Sequence, residues 1–335
     1  EDIQNDDWNK LVGLKTSGYE SPIEIDGSAT GVDANNWTWA KEQPWCTGNG
    51  TESEPYIIEN ITIDGQNLDK GIAIYNSDVH FIIRNSTFYN ATTSVIGAGI
   101  KLVNVINGRI INNTFFNNYN GIYLNRSSSD NTISGNKVYN NGYSGIHLVD
   151  KSKNNIILEN TIYNNYNGIT ISSSFFDRCE YNTISKNYIS NNTQKGIFIK
   201  ESDNNDITEN IISNNKRKGI RIQWSSSNNI YKNYFINNAI HAEEIIETFT
   251  PFINYWNNSV IGNYWDNHSI EDADRDGIDD NDYTYIYGDA NTTDYLPIYG
   301  DPFHYGEKIH IDGYADNGTK SWNWTSTRAW RSGSG

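Results

Sequence analysis

The sequence has no methionine, two cysteines and six prolines among its 335 residues. Two cysteines are too few for a disulfide framework. No run of about 18 apolar residues occurs, so we expect no membrane-spanning helix. Lysine and arginine number 25 against 41 aspartates and glutamates, which gives a net charge of -16. This excess of negative charge excludes the binding of nucleic acid, because a phosphate backbone would be repelled.

The chain begins Glu1-Asp2 rather than with methionine, which we interpret as a mature secreted protein that has lost its signal peptide. Asparagine occurs 51 times, and its preference for turns disfavours a helical architecture. The Asn-x-Ser/Thr triplets agree with an extracellular location. The candidate N-glycosylation sites are Asn36, Asn49, Asn60, Asn85, Asn90, Asn112, Asn125, Asn191, Asn257, Asn267, Asn291, Asn317 and Asn323.

An internal repeat of 23 to 28 residues covers residues 56–252. Each unit has an Asn with Ile three positions before it, and the aligned asparagines are Asn60, Asn85, Asn113, Asn136, Asn160, Asn187, Asn210 and Asn233. Two positions after these asparagines we place a second inward column, which starts with Thr62 and Thr87. Each unit also has a Gly followed by Ile: Gly71, Gly99, Gly121, Gly145, Gly168, Gly196 and Gly219.

The repeats alternate apolar and polar residues with a period of two and leave no room for a helix of ten residues, which predicts short strands. Three short strands in about 23 residues fit one rung of a parallel β-helix, in which equivalent residues stack in columns. A β-propeller is the alternative, but its blades need about 40 residues. The predicted fold is all-β, a single-stranded parallel β-helix of about eight rungs.

Units such as Asn131 to Leu148, with the sequence NTISGNKVYNNGYSGIHL, resemble the right-handed parallel β-helix repeats of the NosD-like and pectate-lyase-like superfamily. The stretch Gly262-Asn263-Tyr264-Trp265-Asp266 resembles the end of secreted NosD-like proteins, which are common on archaeal cell surfaces. The resemblance implies a right-handed helix. It specifies function weakly, because the superfamily includes lyases, hydrolases, epimerases, adhesins and structural proteins. Copper binding would need soft or imidazole ligands, and the six scattered histidines form no visible cluster.

Four segments are predicted along the chain. Residues 1–55 contain Trp8, Trp37, Trp39 and Trp45 and form a Trp-rich N-terminal cap, since the open end of a solenoid must be covered. Residues 56–252 form the β-helix, and residues 253–307 form an irregular, Asp-rich C-terminal cap. Residues 308–335 repeat the sequence of residues 23–50 and are the start of a second copy of the cap. Cys46 and Cys179 lie too many rungs apart for direct pairing.

The Asp-rich segment contains the pattern Asp272-x-Asp274-x-Asp276-Gly-Ile278-x-Asp280. Alternating carboxylates with glycine in the sixth place let one tight loop direct several oxygens at a hard cation. We expect a structural calcium site made by the four aspartate side chains and the carbonyl of Ile278. The pattern lacks the glutamate that closes an EF-hand, so a solvated acidic loop is the alternative.

One outward column follows the repeated Gly-Ile pairs and runs through Ala73, Lys101, Tyr123, His147, Thr170, Phe198 and Arg221. Lyases of the resembled superfamily bind polysaccharide on such a face with acids beside a base. No carboxylate is visible in this column, so the catalytic constellation is incomplete and no catalytic residue is assigned. The expectation is a solvated sheet face. The alternative is a glycan-binding face formed by Lys101, Tyr123, His147, Phe198 and Arg221.

Two functions follow from these patterns. The first is a secreted structural module of a cell-surface protein, filament or surface layer, in which further copies of the chain stack end to end. The second is an extracellular protein that binds or cleaves cell-surface polysaccharide through the outward column. The sequence favours the first, because continuous columns are visible and a converging set of acids and a base is not.

Overall fold

The fold is a parallel β-helix made of three sheets that run along the whole repeat region. The computed structural model describes residues 18–93, 96–174, 176–246, 253–269, 271–290 and 292–300. Residues 1–299 form one compact unit, and a second unit over residues 300–335 lies, apart from Gly300, outside the described residues. The predicted second cap, residues 308–335, therefore falls there. No helix in the described ranges is long and apolar enough to cross a membrane.

Each of eight complete rungs contributes one strand to each sheet. Sheet 1 has ten strands: Gly18–Glu20, Ile61–Asp64, Thr87–Tyr89, Thr114–Phe116, Lys137–Tyr139, Thr161–Tyr163, Tyr188–Ser190, Ile211–Ser213, Tyr234–Ile236 and Tyr264–Trp265. Sheet 2 has nine strands: Cys46–Thr47, Tyr56–Glu59, Phe81–Arg84, Gly108–Ile111, Thr132–Ser134, Ile156–Leu158, Thr183–Ser185, Asp206–Thr208 and Asn229–Tyr231. Sheet 3 has ten strands: Ile23–Asp26, Lys70–Ser77, Ala98–Val105, Asn120–Asn125, Ser144–Val149, Asn167–Ser172, Lys195–Lys200, Lys218–Gln223, Ala242–Ile245 and Tyr287–Gly288.

The core is a continuous apolar bore enclosed by the three sheets. In the rung that starts at residue 156, the side chains of Ile157, Ile162, Ile169 and Ile171 point inward and are completely buried. Their neighbours within each strand point outward, as the period of two requires. The strands of successive rungs are parallel, and the one antiparallel pair described joins Cys46–Thr47 to Tyr56–Glu59.

Buried asparagines stack in ladders at the corners between strands. The first ladder contains Asn113, Asn136, Asn160, Asn187, Asn210, Asn233 and Asn263, and the second and third start at Asn118 and Asn131. From the second member of each ladder onward, the side-chain oxygen accepts bonds from the asparagine one rung earlier, at 2.9 and 3.0 Å where Asn160 donates to Asn187. The side-chain amide in turn donates to backbone carbonyls, as from Asn187 to Ile157 at 2.9 Å. The ladders therefore satisfy backbone groups that the corners would leave unpaired.

The predicted alignment is wrong by one residue in the first two units. Ile110 pairs in register with Ile83, and Ile83 with Ile58, so Ile82 and Ile57 are not the bore residues. For the same reason Thr62 and Thr87 point away from the bore, where Ile63 and Phe88 are completely buried. The error arises because Asn60 and Asn85 stand one position earlier, at the corner in left-handed conformation, with φ values of 58° and 52°.

The N-terminal region joins the sheets before residue 56. Ile23–Asp26 pairs in parallel with Lys70–Ser77, which adds Ile23 and Ile25 to the bore. A short helix, Trp37–Glu42, starts at Asn36, whose side chain accepts a bond from the backbone of Trp39. Trp37 stacks on Tyr56 with ring centroids 4.8 Å apart. Trp37 and Trp45 are thus buried in packing, as expected for a cap, and Trp8 lies outside the described residues.

The C-terminal end of the bore is covered by residues 253–300. Trp265 stacks between Phe235 of the last rung and Tyr283, with centroid distances of 4.4 and 4.0 Å. Glu244 stands in register with the bore residue Ile222 and is buried. Its carboxylate accepts bonds from the side chains of Asn254, Trp256 and Thr292 at 2.7, 3.0 and 2.7 Å. The buried charge is therefore fully hydrogen-bonded at the end of the core.

Candidate functional site

The predicted outward column lies on sheet 3. Ala73, Lys101, Tyr123, His147, Thr170, Phe198 and Arg221 pair in consecutive register across seven rungs. The repeated Gly-Ile pairs fix this register because every Ile after a Gly enters the bore. The structure thus brings all five candidate glycan-binding residues onto one face.

This face is not solvated, in contrast to the expectation. Tyr123, His147 and Thr170 are 5%, 8% and 0% exposed, although their side chains point away from the bore. Tyr143 lies over the column, with its ring 5.5 Å from His147. Large aromatic side chains on adjacent rungs cover the smaller ones between them, which a count of alternating positions does not reveal.

The cations at the two ends of the column are paired with carboxylates. Lys101 Nζ lies 3.1 Å from an oxygen of Asp69. Arg221 Nε lies 3.1 Å from Glu243, and Lys218 also forms an ion pair with Glu243. Glu243 stands in register with Arg221, so the expectation that the column has no carboxylate is wrong. The glycine–isoleucine pattern does not identify this strand, because His241 and Ala242 stand where the other repeats have glycine and isoleucine.

His147 is a buried, neutral side chain in the middle of the column. Burial lowers its pKa to about 3, so the imidazole carries no charge at neutral pH. Nε2 lies 3.0 Å from Ser172 Oγ, and the ring meets that of Tyr123 edge-on at 5.4 Å. Nδ1 is buried without a hydrogen-bond partner. His147 therefore fixes the position of Ser172 and retains one unused polar atom.

A groove of about 380 Å³ lies on this face of sheet 3. Its lining combines two tyrosines and a phenylalanine with hydroxyl and charged groups, and consists of Tyr123, Tyr143, Val149, Asp150, Ser172, Ser173, Phe198 and Lys200. Only Tyr123 and Phe198 belong to the predicted set. The others lie at strand ends and in turns, where the repeat alignment gives no indication of side-chain direction. A groove with aromatic walls and a few polar groups is suited to binding a short segment of a polymeric ligand.

Next to Phe198 the same face carries an amine with a perturbed pKa. Lys195 Nζ lies 4.5 Å from the centroid of the Phe198 ring. Burial, reinforced by the nearby charges of Arg221 and Lys218, lowers the pKa of Lys195 to about 8. Phe198 thus contacts the amine of Lys195 and also lines the groove.

The predicted calcium loop is partly assembled. One carboxylate oxygen from each of Asp272, Asp274 and Asp276 lies within 4.8 Å of the others. This donor set of three carboxylates fits a hard cation such as calcium. The predicted ligand Asp280 is not in this group and accepts a bond from the backbone of Ala273 at 2.7 Å. The backbone N–H of Ile278 donates to the carboxylate of Asp276 in the same loop.

The candidate glycosylation sites avoid the ladders. Among the described residues, the exposed ones are Asn49, Asn85, Asn112, Asn191 and Asn267. Asn36, Asn60, Asn90, Asn125 and Asn257 are half-buried, and Asn291, Asn317 and Asn323 lie outside the described residues. In the first and third ladders the residue two positions after the asparagine enters the bore, as Ile162 does after Asn160 and Ile184 after Asn182, which leaves no place for the serine or threonine of a triplet. Cys46 and Cys179 are both buried and form no disulfide with each other, as the separation of their rungs predicted.

Comparisons with known proteins agree with this architecture. A family model described as a right-handed β-helix region matches residues 23–177. A second model, described as the periplasmic copper-binding protein NosD, matches residues 173–270. The chain is a right-handed parallel β-helix repeat protein. Residues 173–270 are similar to NosD, and copper binding is a property of that protein. No curated protein sequence matches the chain.

Solved structures with similarity to the chain include three β-helical proteins. A mutant of the periplasmic alginate epimerase AlgG is 17% identical, with 57% of this chain and 56% of AlgG covered and a TM-score of 0.42. The A-module of the mannuronan C-5 epimerase AlgE6 from Azotobacter vinelandii is 16% identical, with 62% and 60% covered and a TM-score of 0.44. The Dettilon tailspike protein is 16% identical, with 74% and 57% covered and a TM-score of 0.41. The chain thus spans just over half the length of AlgG.

Proposed function

We propose that the chain is a rigid structural module of a secreted, cell-surface protein. The observation that carries this proposal is the unbroken register of eight rungs, in which the bore and the asparagine ladders continue from one rung to the next. Such a solenoid resists bending because the strands and the ladder asparagines bond each rung to the next. The exposed Asn49, Asn85, Asn112, Asn191 and Asn267 are the positions at which a glycan would be attached.

We also propose that copies of the module associate end to end. The sequence of residues 308–335 repeats that of residues 23–50, and in residues 23–26 this sequence forms the first strand of sheet 3. The C-terminal end of the chain's own bore is covered by Trp265 and Tyr283. This coverage favours the N-terminal end of a second copy as the partner. A contact of this kind need not close on itself and would extend into a filament.

Deletion of residues 308–335 tests this assembly. The full chain should form species of increasing mass in light scattering as its concentration rises, whereas the truncated chain should remain a folded monomer with an unchanged circular dichroism spectrum. A full chain that remains strictly monomeric, or a truncated chain that assembles equally well, would refute the proposal.

The carboxylates of Asp272, Asp274 and Asp276 support a structural calcium site in the C-terminal cap. Calcium should raise the melting temperature, because an ion that binds only the folded state stabilises that state. The variant Asp274→Asn should remove this increase, whereas Asp282→Asn, an exposed aspartate outside the group, should retain it. Calorimetry that detects no calcium binding to the unchanged protein would contradict the site.

Polysaccharide binding is the second function that an observation favours. The groove on sheet 3 combines the rings of Tyr123, Tyr143 and Phe198 with the hydroxyl of Ser172. Aromatic faces and polar groups together are what a sugar ring requires, since it has apolar C–H surfaces and hydroxyl groups at its edge. Retardation of the protein in native gels that contain polysaccharide tests this function, and loss of retardation in Phe198→Ala would assign it to the groove.

A further inference from the structure

We propose that the groove on sheet 3 binds an uncharged, hydroxyl-rich segment of a neutral polysaccharide and excludes polyuronates. This inference rests on the second function above and specifies its ligand. It follows from the charges that line the groove, from the hydroxyl that His147 positions, and from the length of the aromatic wall.

The charges around the groove do not favour an anion. Asp150 lies exposed in the lining, and no side-chain bond neutralises it. The one lining cation, Lys200, lies 5.1 Å from the ring centroid of Trp224 and 3.9 Å from a carboxylate oxygen of Glu201. Lys101 and Arg221, the cations of the column, are bound to Asp69 and Glu243. A polyanion would also approach a chain with a net charge of -16, which repels it.

Two cations stand near the groove without lining it: Arg126, whose charge acts on Tyr123, and Lys195. The amine of Lys195 lies against Phe198, where burial and neighbouring cations lower its pKa to about 8. An acidic ligand would have to place its carboxylate next to Lys195 or Arg126, outside the groove lining. The rest of the ligand would then lie near the negative charge of Asp150. The experiment below therefore includes acidic oligosaccharides as a separate arm.

His147 orients the hydroxyl group of Ser172 at the wall of the groove, so that this hydroxyl can donate a hydrogen bond to a ligand. In the neutral imidazole only one nitrogen carries hydrogen. Nδ1 has no hydrogen-bond partner, whereas Nε2 lies beside Ser172 Oγ. The tautomer with hydrogen on Nε2 is therefore favoured, because its N–H can donate to Ser172 Oγ. The hydroxyl hydrogen of Ser172 is then free to donate to a ligand oxygen, while the carboxylate of Asp150 can accept from a ligand hydroxyl. Donor and acceptor together match an uncharged sugar better than a carboxylate.

The aromatic lining determines the length of the segment. Tyr123 and Phe198 belong to the same column, with His147 and Thr170 on the two rungs between them. Three rung steps correspond to about 14 Å along the solenoid axis. The groove is therefore long enough for a short oligosaccharide that lies along the axis, with its rings over Tyr143 and Phe198.

An oligosaccharide panel tests the ligand class. The probes are hexasaccharides of glucan, mannan, xylan and galactan as the neutral arm, with hexagalacturonate and hexamannuronate as the acidic arm, measured by calorimetry. We expect at least one neutral probe to bind, with an affinity that changes by less than about twofold between 50 and 500 mM NaCl, since no ion pair is screened. Binding to an acidic probe should be at least about tenfold weaker.

Variants assign the binding to the groove. Ser172→Ala and Asp150→Ala should each weaken binding of the neutral probe about tenfold or more, as expected for loss of a hydrogen bond to a ligand. The controls Ser185→Ala on sheet 2 and Asp130→Ala in an exposed turn should bind normally. His147→Phe should weaken binding and leave the melting curve cooperative. If its melting curve is not cooperative, Ser172→Ala alone decides the hydroxyl's role, because Ser172 is only half-buried.

The outcomes separate the two levels of the proposal. If an acidic probe binds more tightly than every neutral one and salt abolishes its binding, the ligand class is wrong while the polysaccharide function stands. If neither arm binds, both are wrong. If a neutral probe binds equally well to the Ser172 and Asp150 variants, the site lies elsewhere on the chain and the assignment to this groove is refuted.

Discussion

At the scale of single residues, stability depends on which of two neighbouring side chains enters the bore. Ile156 and Ile157 are adjacent in sheet 2, yet Ile157 is completely buried and Ile156 is 42% exposed. Ile157→Ala should lower the free energy of unfolding by about 2 to 5 kcal/mol, because it removes buried methyl groups and leaves a cavity. The same change at Ile156 should cost less than about 1 kcal/mol. Equal effects in urea melts would contradict the assigned register.

Thr170, an outward residue of sheet 3, would not serve as a control for this comparison. Its side chain points away from the bore, but it is buried, and its hydroxyl lies 2.8 Å from that of Ser144. An alanine there would remove a buried hydrogen bond and leave Ser144 without this partner. Outward direction and exposure are therefore separate properties in this β-helix.

Cys179 occupies a position at which other rungs have serine. Ser152, Ser202 and Ser225 each stand three residues before a ladder asparagine, as Cys179 does before Asn182. Burial raises the pKa of the Cys179 thiol to about 11, so it is not a reactive thiolate. Cys179→Ser should change the free energy of unfolding by less than about 1 kcal/mol, because a hydroxyl suits this site. A large loss in a denaturant melt would show that the sulfur is needed for packing.

At the scale of the repeating element, the ladder asparagines connect successive rungs by hydrogen bonds at the corners between strands. Asn187 donates from its backbone and side chain to Asn210 and accepts from Asn160. Asn187→Asp keeps the shape but replaces the amide donors by an acceptor, which leaves carbonyls unpaired and buries a charge. We expect a loss of about 3 to 5 kcal/mol in the free energy of unfolding.

The control for this change lies in the same rung. Asn191 is exposed at the next corner and is not part of a ladder. Asn191→Asp should alter the free energy of unfolding by less than about 0.5 kcal/mol. If both variants melt at the same denaturant concentration, the ladder bonds contribute nothing measurable to stability.

The repeat also explains which parts of the structure were predictable. The glycine–isoleucine pairs fix sheet 3 because they recur at one position in every unit from Gly71 to Gly219. Sheet 2 was misaligned at its first two units, because asparagine serves both in the ladder and at the left-handed corner beside it. The groove was largely missed, since Tyr143, Asp150 and Lys200 lie at turns and strand ends. Periodicity predicts which side of a strand faces the core, but it does not predict which outward side chains cover their neighbours.

At the scale of the whole molecule, the ladders have one direction and end in the C-terminal cap. Every ladder oxygen accepts from the preceding rung, so each last asparagine needs an acceptor from outside the repeat. Asp294 accepts from Asn263 and Glu244 accepts from Asn254, while Asn238 lies 3.4 Å from a ring nitrogen of His241. An ionisable group thus stands at the end of each of the three ladders. The stability of the rod should accordingly depend on pH through its cap.

Asp294 gives this dependence a definite sign. Its carboxylate is buried and accepts from Asn263, Trp265 and Leu296, but burial outweighs these bonds and raises the pKa from 3.8 to about 6. A folded state that holds the proton more tightly than the unfolded state gains stability at low pH. This gain is complete below about pH 3.8 and is lost as the pH rises through about 6. His241 acts in the opposite direction, because burial lowers its pKa and it favours the folded state at higher pH.

Because the two groups oppose each other, the prediction concerns differences between variants. Asp294→Asn retains an acceptor for Asn263 and Trp265 but cannot titrate. The unfolding free energy of the unchanged protein, measured in urea relative to Asp294→Asn, should fall by about 3 kcal/mol between pH 3.5 and pH 7. Relative to His241→Gln, it should instead rise over the same range. A flat difference for Asp294→Asn would show that the four donors around the carboxylate offset its burial, and that the cap holds Asp294 ionised in the folded protein.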